Sequence, residues 1–481
     1  MTPRPLRFFH RGQITEVNGL PTTTTVLQYL REHAGCTGTK EGCAEGDCGA
    51  CTVLQAELDV DGQLRLSNVN ACTQFLPTLD GRALLTVEDL GTPEQLHPVQ
   101  QAMVSCHGSQ CGFCTPGFVM SLVACYESHQ ATGSVPTRQQ LADALAGNLC
   151  RCTGYRPILD AGLKAFEAPP QRLHLAPVEA ALRQLAADTP LDLPGFQAPQ
   201  TLAALAAACA ATPGARLLAG STDVGLWVNK QFRELGPLIY TGRVAELRAL
   251  KRSKGRLWIG AAVTLEDAWA ALVAEVPALR ELWLRFASPP VRHAGTLGGN
   301  IANGSPIGDG APALMALGAD IVLRSSAGQR RLPLEQFYLG YVKNALQAGE
   351  FVEALDVPLP GPDWRISAYK IAKRYDSDIS AVCAVLALQM KGEVVRQARF
   401  AFGGMAATVK RAAAAEAAVQ GQAWSKATAQ AAAAALAQDF KPLSDLRASE
   451  YYRLRVAQNL FTKCWLESDA GQPLSVWRLP T

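Results

Sequence analysis

The sequence predicts a multidomain α+β protein, and three observations carry that prediction. The 481 residues are too many for one hydrophobic core, since domains usually run to about 100–200 residues. Eleven of the fourteen cysteines fall between Cys36 and Cys152, in two groups with metal-ligand spacing. Farther along, strand-like runs alternate with Ala-rich helical stretches and Gly-rich turns, the mixture expected of an α+β cofactor domain.

In chain order, residues 6–19 read as two short strands around an Arg11-Gly12 turn, so a small sheet opens the protein. Thr25 to His33 reads as a helix, and periodicity then vanishes in the Gly- and Cys-rich loop from Gly35 to Cys51. After Asp89 the pattern turns helical, with apolar residues at helical spacing over 98–106, 116–129 and 137–146, a compact all-helical unit. Pro169, Pro170, Pro177, Pro190, Pro194 and Pro199 interrupt regular structure and suit a connector. Arg216 to Ala219 and Arg256 to Ile259 read as strands, and the Ala-rich tract 411–437 as helix.

Composition narrows the partners. Lys plus Arg number 45 against 42 Asp plus Glu, and a net charge of +3 makes no field that draws nucleic acid or an anionic membrane. The start, Met1-Thr2-Pro3-Arg4, lacks an apolar core with a cleavage site, and no apolar stretch of about 20 residues follows. The expectation is a soluble, cytoplasmic chain. In that reducing compartment fourteen cysteines point to metal ligation or redox chemistry rather than disulfides.

Cys43, Cys48 and Cys51 form C-x4-C-x2-C with Cys72 downstream, the plant-type ferredoxin spacing for a 2Fe-2S cluster. The neighbouring Gly42, Gly46 and Gly49 let backbone N–H groups fold close to the sulfurs of a negatively charged cluster. Cys111 and Cys114 pair in the same way with Cys150 and Cys152. Zinc is the alternative for either set, more so for the second, because short-spaced cysteine pairs also build structural zinc sites. Cys36, Cys106, Cys125, Cys209, Cys383 and Cys464 lack partners at ligand spacing and read as small buried hydrophobes.

Together, with Gly108-Ser109-Gln110-Cys111-Gly112-Phe113-Cys114-Thr115-Pro116-Gly117 and Gly147-Asn148-Leu149-Cys150-Arg151-Cys152-Thr153-Gly154-Tyr155, the two sets resemble the iron–sulfur half of the molybdenum hydroxylases, the family typified by xanthine dehydrogenase. The resemblance spans about residues 35 to 160 with no ligand missing. It implies a ferredoxin-like β-grasp domain followed by a helical 2Fe-2S domain. It further implies that the helical domain's cluster sits nearer the molybdopterin, the other nearer the flavin, and that Gln110 touches the pterin.

Leu218-Ala219-Gly220-Ser221-Thr222-Asp223 and Gly295-Thr296-Leu297-Gly298-Gly299-Asn300 have the composition of pyrophosphate-cradling loops, but on residues alone the ordinary turn is the better reading of each. The run from Thr296 through Asp309 resembles the FAD-domain signature of the same family, with Arg216 to Asp223 matching its upstream loop. FAD is the implied cofactor, held by Arg216, Leu217, Leu218, Ala219, Gly220, Ser221, Thr222, Asp223, Phe286, Thr296, Leu297, Gly298, Gly299, Asn300, Asp309, Val352 and Lys370. Without the family, Phe286 reads equally as core and Lys370 equally as a solvated strand residue, and Asp309 in Gly-Asp-Gly has a turn-stabilising alternative. The stretch Ile371 to Ala381, with Arg374, Tyr375 and Asp376, corresponds to a loop near the flavin, and the match there is partial.

The implied architecture is a ferredoxin-like 2Fe-2S domain (1–88), a helical 2Fe-2S domain (89–166), a linker (167–192), an α+β FAD-binding domain (193–364) and a C-terminal α+β flavoprotein domain (365–481). The resemblance implies an iron–sulfur/FAD subunit that takes electrons from a molybdopterin centre on a large partner subunit, in a heterotetramer of two copies of each. They pass through both clusters to FAD and then to NAD as co-substrate, during oxidation of hypoxanthine or xanthine. No catalytic residue is expected on this chain. Three alternatives stay open: the same subunit serving an aldehyde or N-heterocycle hydroxylase, a stand-alone flavin reductase, and a zinc-stabilised binding module.

Overall fold

The computed structural model describes residues 4–471 and residue 474. The chain folds as two units, one of residues up to 245 with Ser288–Gly295, the other of Glu246–Ala287 and residues from 296 onward.

The first unit opens with β1 (Leu6–His10) and β2 (Gln13–Val17), turned at Arg11 and Gly12, both at positive φ. β3 (Thr52–Leu58), β4 (Leu64–Asn70) and β5 (Ala83–Leu85) complete a sheet of order β2-β1-β5-β3-β4, in which β5 runs parallel to β1. Thr25 begins the expected helix with a capping box to Gln28. After one turn, Val26–Gln28, it widens into the π-helical Tyr29–His33. The Gly35 to Cys51 stretch contains neither helix nor strand.

The helical part follows as Pro98–Ser105, Thr115–Thr132, Arg138–Ala144 and Arg156–Lys164, matching the three helical expectations and adding a fourth. Phe118, Leu122, Val123 and Tyr126 of the long helix share one core with Leu54 and Ala56 of β3 and with Leu141 and Ile158. One apolar layer therefore joins the helices to the small sheet. The proline-rich stretch carries a helix of its own, Ala176–Leu185, with Pro177 in its first turn and Val178 and Leu182 in that same core. Next come β6 (Leu191–Leu193), β7 (Phe196–Ala198), β8 (Arg216–Leu218) and β9 (Leu238–Tyr240), in the order β6-β7-β9-β8.

In the second unit β10 (Leu250–Ser253), β11 (Arg256–Gly260), β12 (Asp320–Ser325), β13 (Gly328–Pro333) and β16 (Phe351–Pro358) form a sheet of order β10-β11-β16-β12-β13. β14 (Tyr338–Gly340) and β15 (Lys343–Asn344) make a separate hairpin. β17 (Trp364–Ile371), β18 (Val382–Lys391), β19 (Val394–Gly403) and β20 (Lys410–Arg411) form an antiparallel meander in chain order. Its buried face, Leu386, Leu388, Phe400 and Phe402, packs with Ala415, Ala432, Leu436 and Phe461 from three helices.

The Ala-rich tract 411–437 is not one helix. Arg411 ends β20, one helix runs Ala413–Val419 and another Lys426–Asp439. Gly421, left-handed at φ 79°, and Ser425, which caps the second helix, make the break. Among the described residues no helix is long and apolar enough to cross a membrane.

Candidate functional site

The structure brings the first cysteine set together. Cys43 Sγ receives backbone N–H groups from Cys48 at 3.3 Å and Glu45 at 3.5 Å. The Cys48 and Cys72 thiols hydrogen-bond to Cys43 and hold it well below the usual thiol range. The contact with Cys43 pushes Cys48 up, and contacts with Cys43 and Cys51 push Cys72 up. Four sulfur donors brought together in this way fit an iron–sulfur core, whose positive charge would favour their thiolate forms. Gly42 leaves room for this packing, because a Cβ there would lie 2.9 Å from Cys48 Sγ. Gly46 and Gly49 take left-handed φ, and a Cβ on Gly49 would strike the Gly147 carbonyl at 2.2 Å.

The second set also converges. Cys111 contacts Cys152, and Cys114 contacts Cys150. Burial raises the Cys150 thiol, but the Thr153 hydroxyl and the N–H groups of Thr153 and Cys152 outweigh it and bring it to about 7. Cys114, short of such donors, is pushed up to about 12 by burial and by Cys150. Cys111 and Cys152 are exposed, as are Gln110 and Phe113 beside them. Among the described residues no three His, Cys, Asp or Glu side chains form a single-ion site; four thiolates shared between two irons need not meet at one point. Of the other six cysteines, Cys36, Cys383 and Cys464 are buried, and burial pushes Cys125 and Cys464 up to about 11.

The two sets are joined through backbone and buried amides. The N–H of Leu149, next to Cys150, donates to the Cys48 carbonyl at 3.0 Å. Asn148 donates to the Gly49 carbonyl at 3.1 Å and accepts from Ser121 at 2.6 Å. Asn68 links Ser121, at 3.3 Å, to His293 Nδ1, 2.7 Å away, on the helix Pro289–Ala294.

The Leu218–Asp223 loop lies in this first unit. A Cβ on Gly220 would fall 2.0 Å from the Ala294 carbonyl, so only glycine fits. Ser221 is left-handed at φ 61°, and its buried hydroxyl has no hydrogen-bond partner among the described residues. A buried, unsatisfied hydroxyl beside a backbone that tolerates no side chain fits a phosphate-bearing cofactor. Leu218 is buried, Leu217, Ala219 and Thr222 are half-buried, and Asp223 precedes the helix Val224–Asn229 without capping it. The Arg216 guanidinium lies over the Trp227 ring, 4.7 Å from its centre.

The remaining flavin candidates lie in the second unit. Thr296 caps the helix Leu297–Asn303 through Gly299 N–H. Gly298 has a packing reason to be glycine, since a Cβ would sit 2.4 Å from that of Ala261. Asn300 Oδ1 leaves equally little room at Gly310, Phe286 packs on Trp269, and Val352 is buried on β16 at a register shift opposite β12. Lys370 is not solvated. Its side chain is 2% exposed and its ammonium bonds Asp309 at 2.6 Å and Ser380 at 2.8 Å. Asp309 caps no helix with its side chain; it takes Lys370 on one oxygen and the Ser380 hydroxyl, at 2.6 Å, on the other. In the partly matching loop, Arg285 donates to the Tyr375 carbonyl at 3.2 Å and lies over that ring. Arg285 and Lys370 also line a cavity of about 460 Å³ with Glu281, Tyr369 and Lys463.

Sequence reasoning missed Ser380, Asn148 and Asn229, because each acts on a partner far away in sequence and no spacing motif marks it. The Gly147-Asn148-Leu149-Cys150 run was the one available signal for Asn148.

Four family models match in succession. They are the 2Fe-2S iron-sulfur cluster binding domain over residues 8–76, the [2Fe-2S] binding domain over 86–163, the FAD binding domain in molybdopterin dehydrogenase over 192–360 and the CO dehydrogenase flavoprotein C-terminal domain over 367–468. The chain thus contains two 2Fe-2S cluster-binding domains and an FAD-binding domain. Xanthine dehydrogenase of Drosophila subobscura is 34% identical, over 84% of this chain and 34% of its own. That of Emericella nidulans is 31% identical, over 90% and 36%. The chain therefore spans about a third of the length of these curated relatives. Among solved structures, carbon monoxide dehydrogenase from Hydrogenophaga pseudoflava aligns at TM-score 0.55 and 28% identity, over 59% of this chain and 99% of that one. Quinoline 2-oxidoreductase from Pseudomonas putida 86 aligns at TM-score 0.53 and 27% identity, over 58% and 98%. Fold and matches together define an iron–sulfur flavoprotein, two 2Fe-2S domains followed by an FAD-binding domain and a flavoprotein C-terminal domain. The chain belongs to the molybdenum hydroxylases, as an iron–sulfur/FAD portion of the xanthine dehydrogenase and carbon monoxide dehydrogenase type.

Proposed function

We propose that this chain is the iron–sulfur/FAD subunit of a xanthine dehydrogenase. It relays electrons from a molybdopterin centre on a large partner subunit, through two 2Fe-2S clusters, to FAD and then NAD, while hypoxanthine or xanthine is oxidised. Cys43, Cys48, Cys51 and Cys72 hold the first cluster, and Cys111, Cys114, Cys150 and Cys152 the second. The observation that carries the reading is the direct link between the two cradles, Leu149 N–H to the Cys48 carbonyl at 3.0 Å. Bound FAD exchanges electrons singly with the clusters and as a hydride with a nicotinamide. Arg216 to Asp223, Phe286, Thr296 to Asn300, Asp309, Val352 and Lys370 hold it.

The exposed Cys111 and Cys152, with Gln110 and Phe113, favour a partner on that face, because a cluster open to water is badly placed for relay. The names of the curated relatives favour xanthine, and NAD is what the family resemblance implies. A heterotetramer with two copies of each subunit follows from the family resemblance, and fourteen free cysteines favour the cytoplasm. The solved relatives favour a second reading, the same subunit in a hydroxylase of another small molecule. Mass spectrometry of the copurified large subunit, followed by turnover with xanthine and with an N-heterocycle, decides between them. Activity with the heterocycle alone would rule out the xanthine assignment.

A further inference from the structure

Asn229 closes the helix Val224–Asn229, which starts directly after the Gly220–Asp223 loop. Its side-chain amide donates to the Cys72 carbonyl at 2.7 Å and to the Ala44 carbonyl at 3.0 Å. Both amide donors are thereby directed at the two separate segments that carry the first cysteine set, one between Cys43 and Cys48, the other at Cys72. Ala44 is left-handed at φ 54°, a conformation an alanine holds only where neighbours fix it. The Cys72 segment is gripped again nearby. Gln74 donates to the Gly220 carbonyl at 2.9 Å, and Gly225 packs so closely on Thr73 that a Cβ would lie 2.7 Å from its carbonyl oxygen.

We propose that Asn229 is a positioning residue for the first 2Fe-2S cluster, holding the two halves of its cradle at fixed separation and setting its potential. This rests on the assignment of Cys43, Cys48, Cys51 and Cys72 as cluster ligands. A cluster gains one negative charge on reduction, with no bond made or broken, and N–H dipoles near it stabilise the reduced form. Without the amide, the Ala44 and Cys72 carbonyls would lose their donors, and their unneutralised negative charge so close to the ligands would disfavour the reduced state. Because the amide sits on the helix after the Gly220 loop, it also ties that loop to the cradle.

The test is an EPR-monitored redox titration of the purified holoprotein and of Asn229→Leu, with iron and FAD measured on each. In Asn229→Leu one 2Fe-2S signal shifts to lower potential by about tenfold in its one-electron equilibrium, about 59 mV, while the other signal stays. Wild-type potentials for both signals in a fully loaded Asn229→Leu protein overturn the proposal. If Asn229→Leu fails to load iron, Asn229→Ser decides, being small, polar and too short to span both carbonyls. A lowered potential for one signal supports the positioning role, and unchanged potentials overturn it. A wild-type chain with no 2Fe-2S signal sinks the ligand assignment itself, a result distinct from an unshifted variant.

Discussion

Cys72 lies 21 residues after Cys51 in the sequence, yet its thiol contacts both Cys43 and Cys51. Replacing it removes a quarter of the first thiolate set and leaves the second untouched. Cys72→Ser is expected to lower iron from about four to about two atoms per chain, with one of the two EPR signals lost; loss of both would show that the sets are not independent. Lys370 and Asp309 make a different kind of demand. Their side chains are 2% and 4% exposed, and a buried pair broken on one side leaves an uncompensated charge. Lys370→Met is expected to destabilise the chain by about 3–5 kcal/mol, and Lys370→Met with Asp309→Leu to recover most of it. A double-mutant cycle on urea midpoints measures both. Asp309 and Lys370 were both legible only through resemblance, since on residues alone Asp309 within Gly-Asp-Gly reads as a turn stabiliser. Ser380 was not legible, because a serine 71 residues from its carboxylate partner leaves no periodic trace.

At the scale of elements, what could be read from sequence depended on whether a local residue dictated the shape. Arg11-Gly12 set the first hairpin, and Thr25 with Gln28 set a helix start, since turn and capping chemistry act over a few positions. The widening of that helix at Tyr29–His33 and the break near Gly421 were not legible. A tract of uniformly strong helix formers does not say where it stops until tertiary packing selects the point. The helix Pro98–Ser105 yields a pH prediction. His97 caps it by accepting Val99 N–H, and burial lowers its pKa from 6.5 to about 4. The unfolded chain therefore binds more protons between those values, so stability is complete above about pH 6.5 and falls as pH drops toward 4. His97→Asn keeps a capping side chain without the titration and is expected to flatten that decline, as read by thermal melting at pH 7 and pH 4.5. In the flavin loop, Gly220→Ala sets a methyl against the Ala294 carbonyl and is expected to lower bound FAD with iron unchanged. Full flavin content would remove that loop from the cofactor site.

Over the whole chain, the order of two cysteine sets and then two Gly-rich loops was legible because ligand spacing survives in sequence. The family matches follow the same order. What joins the parts was not legible. The Leu149 to Cys48 bond, the Asn148–Ser121–Asn68–His293 chain and the Asn229 clamp are all long-range polar contacts. The segment Ser288–Gly295 folds with the first unit although its chain neighbours on both sides belong to the second, an interleaving no linear reading of domains anticipates. In the proposed function, clusters and flavin form one electron relay with a nicotinamide at its end. Its most direct test is the visible spectrum of the anaerobic holoprotein before and after NADH, alongside iron, zinc and FAD analysis. Broad iron–sulfur and flavin absorption that bleaches with NADH is expected, with about four irons per chain and one FAD to each pair of clusters. A colourless, zinc-bearing chain would contradict it.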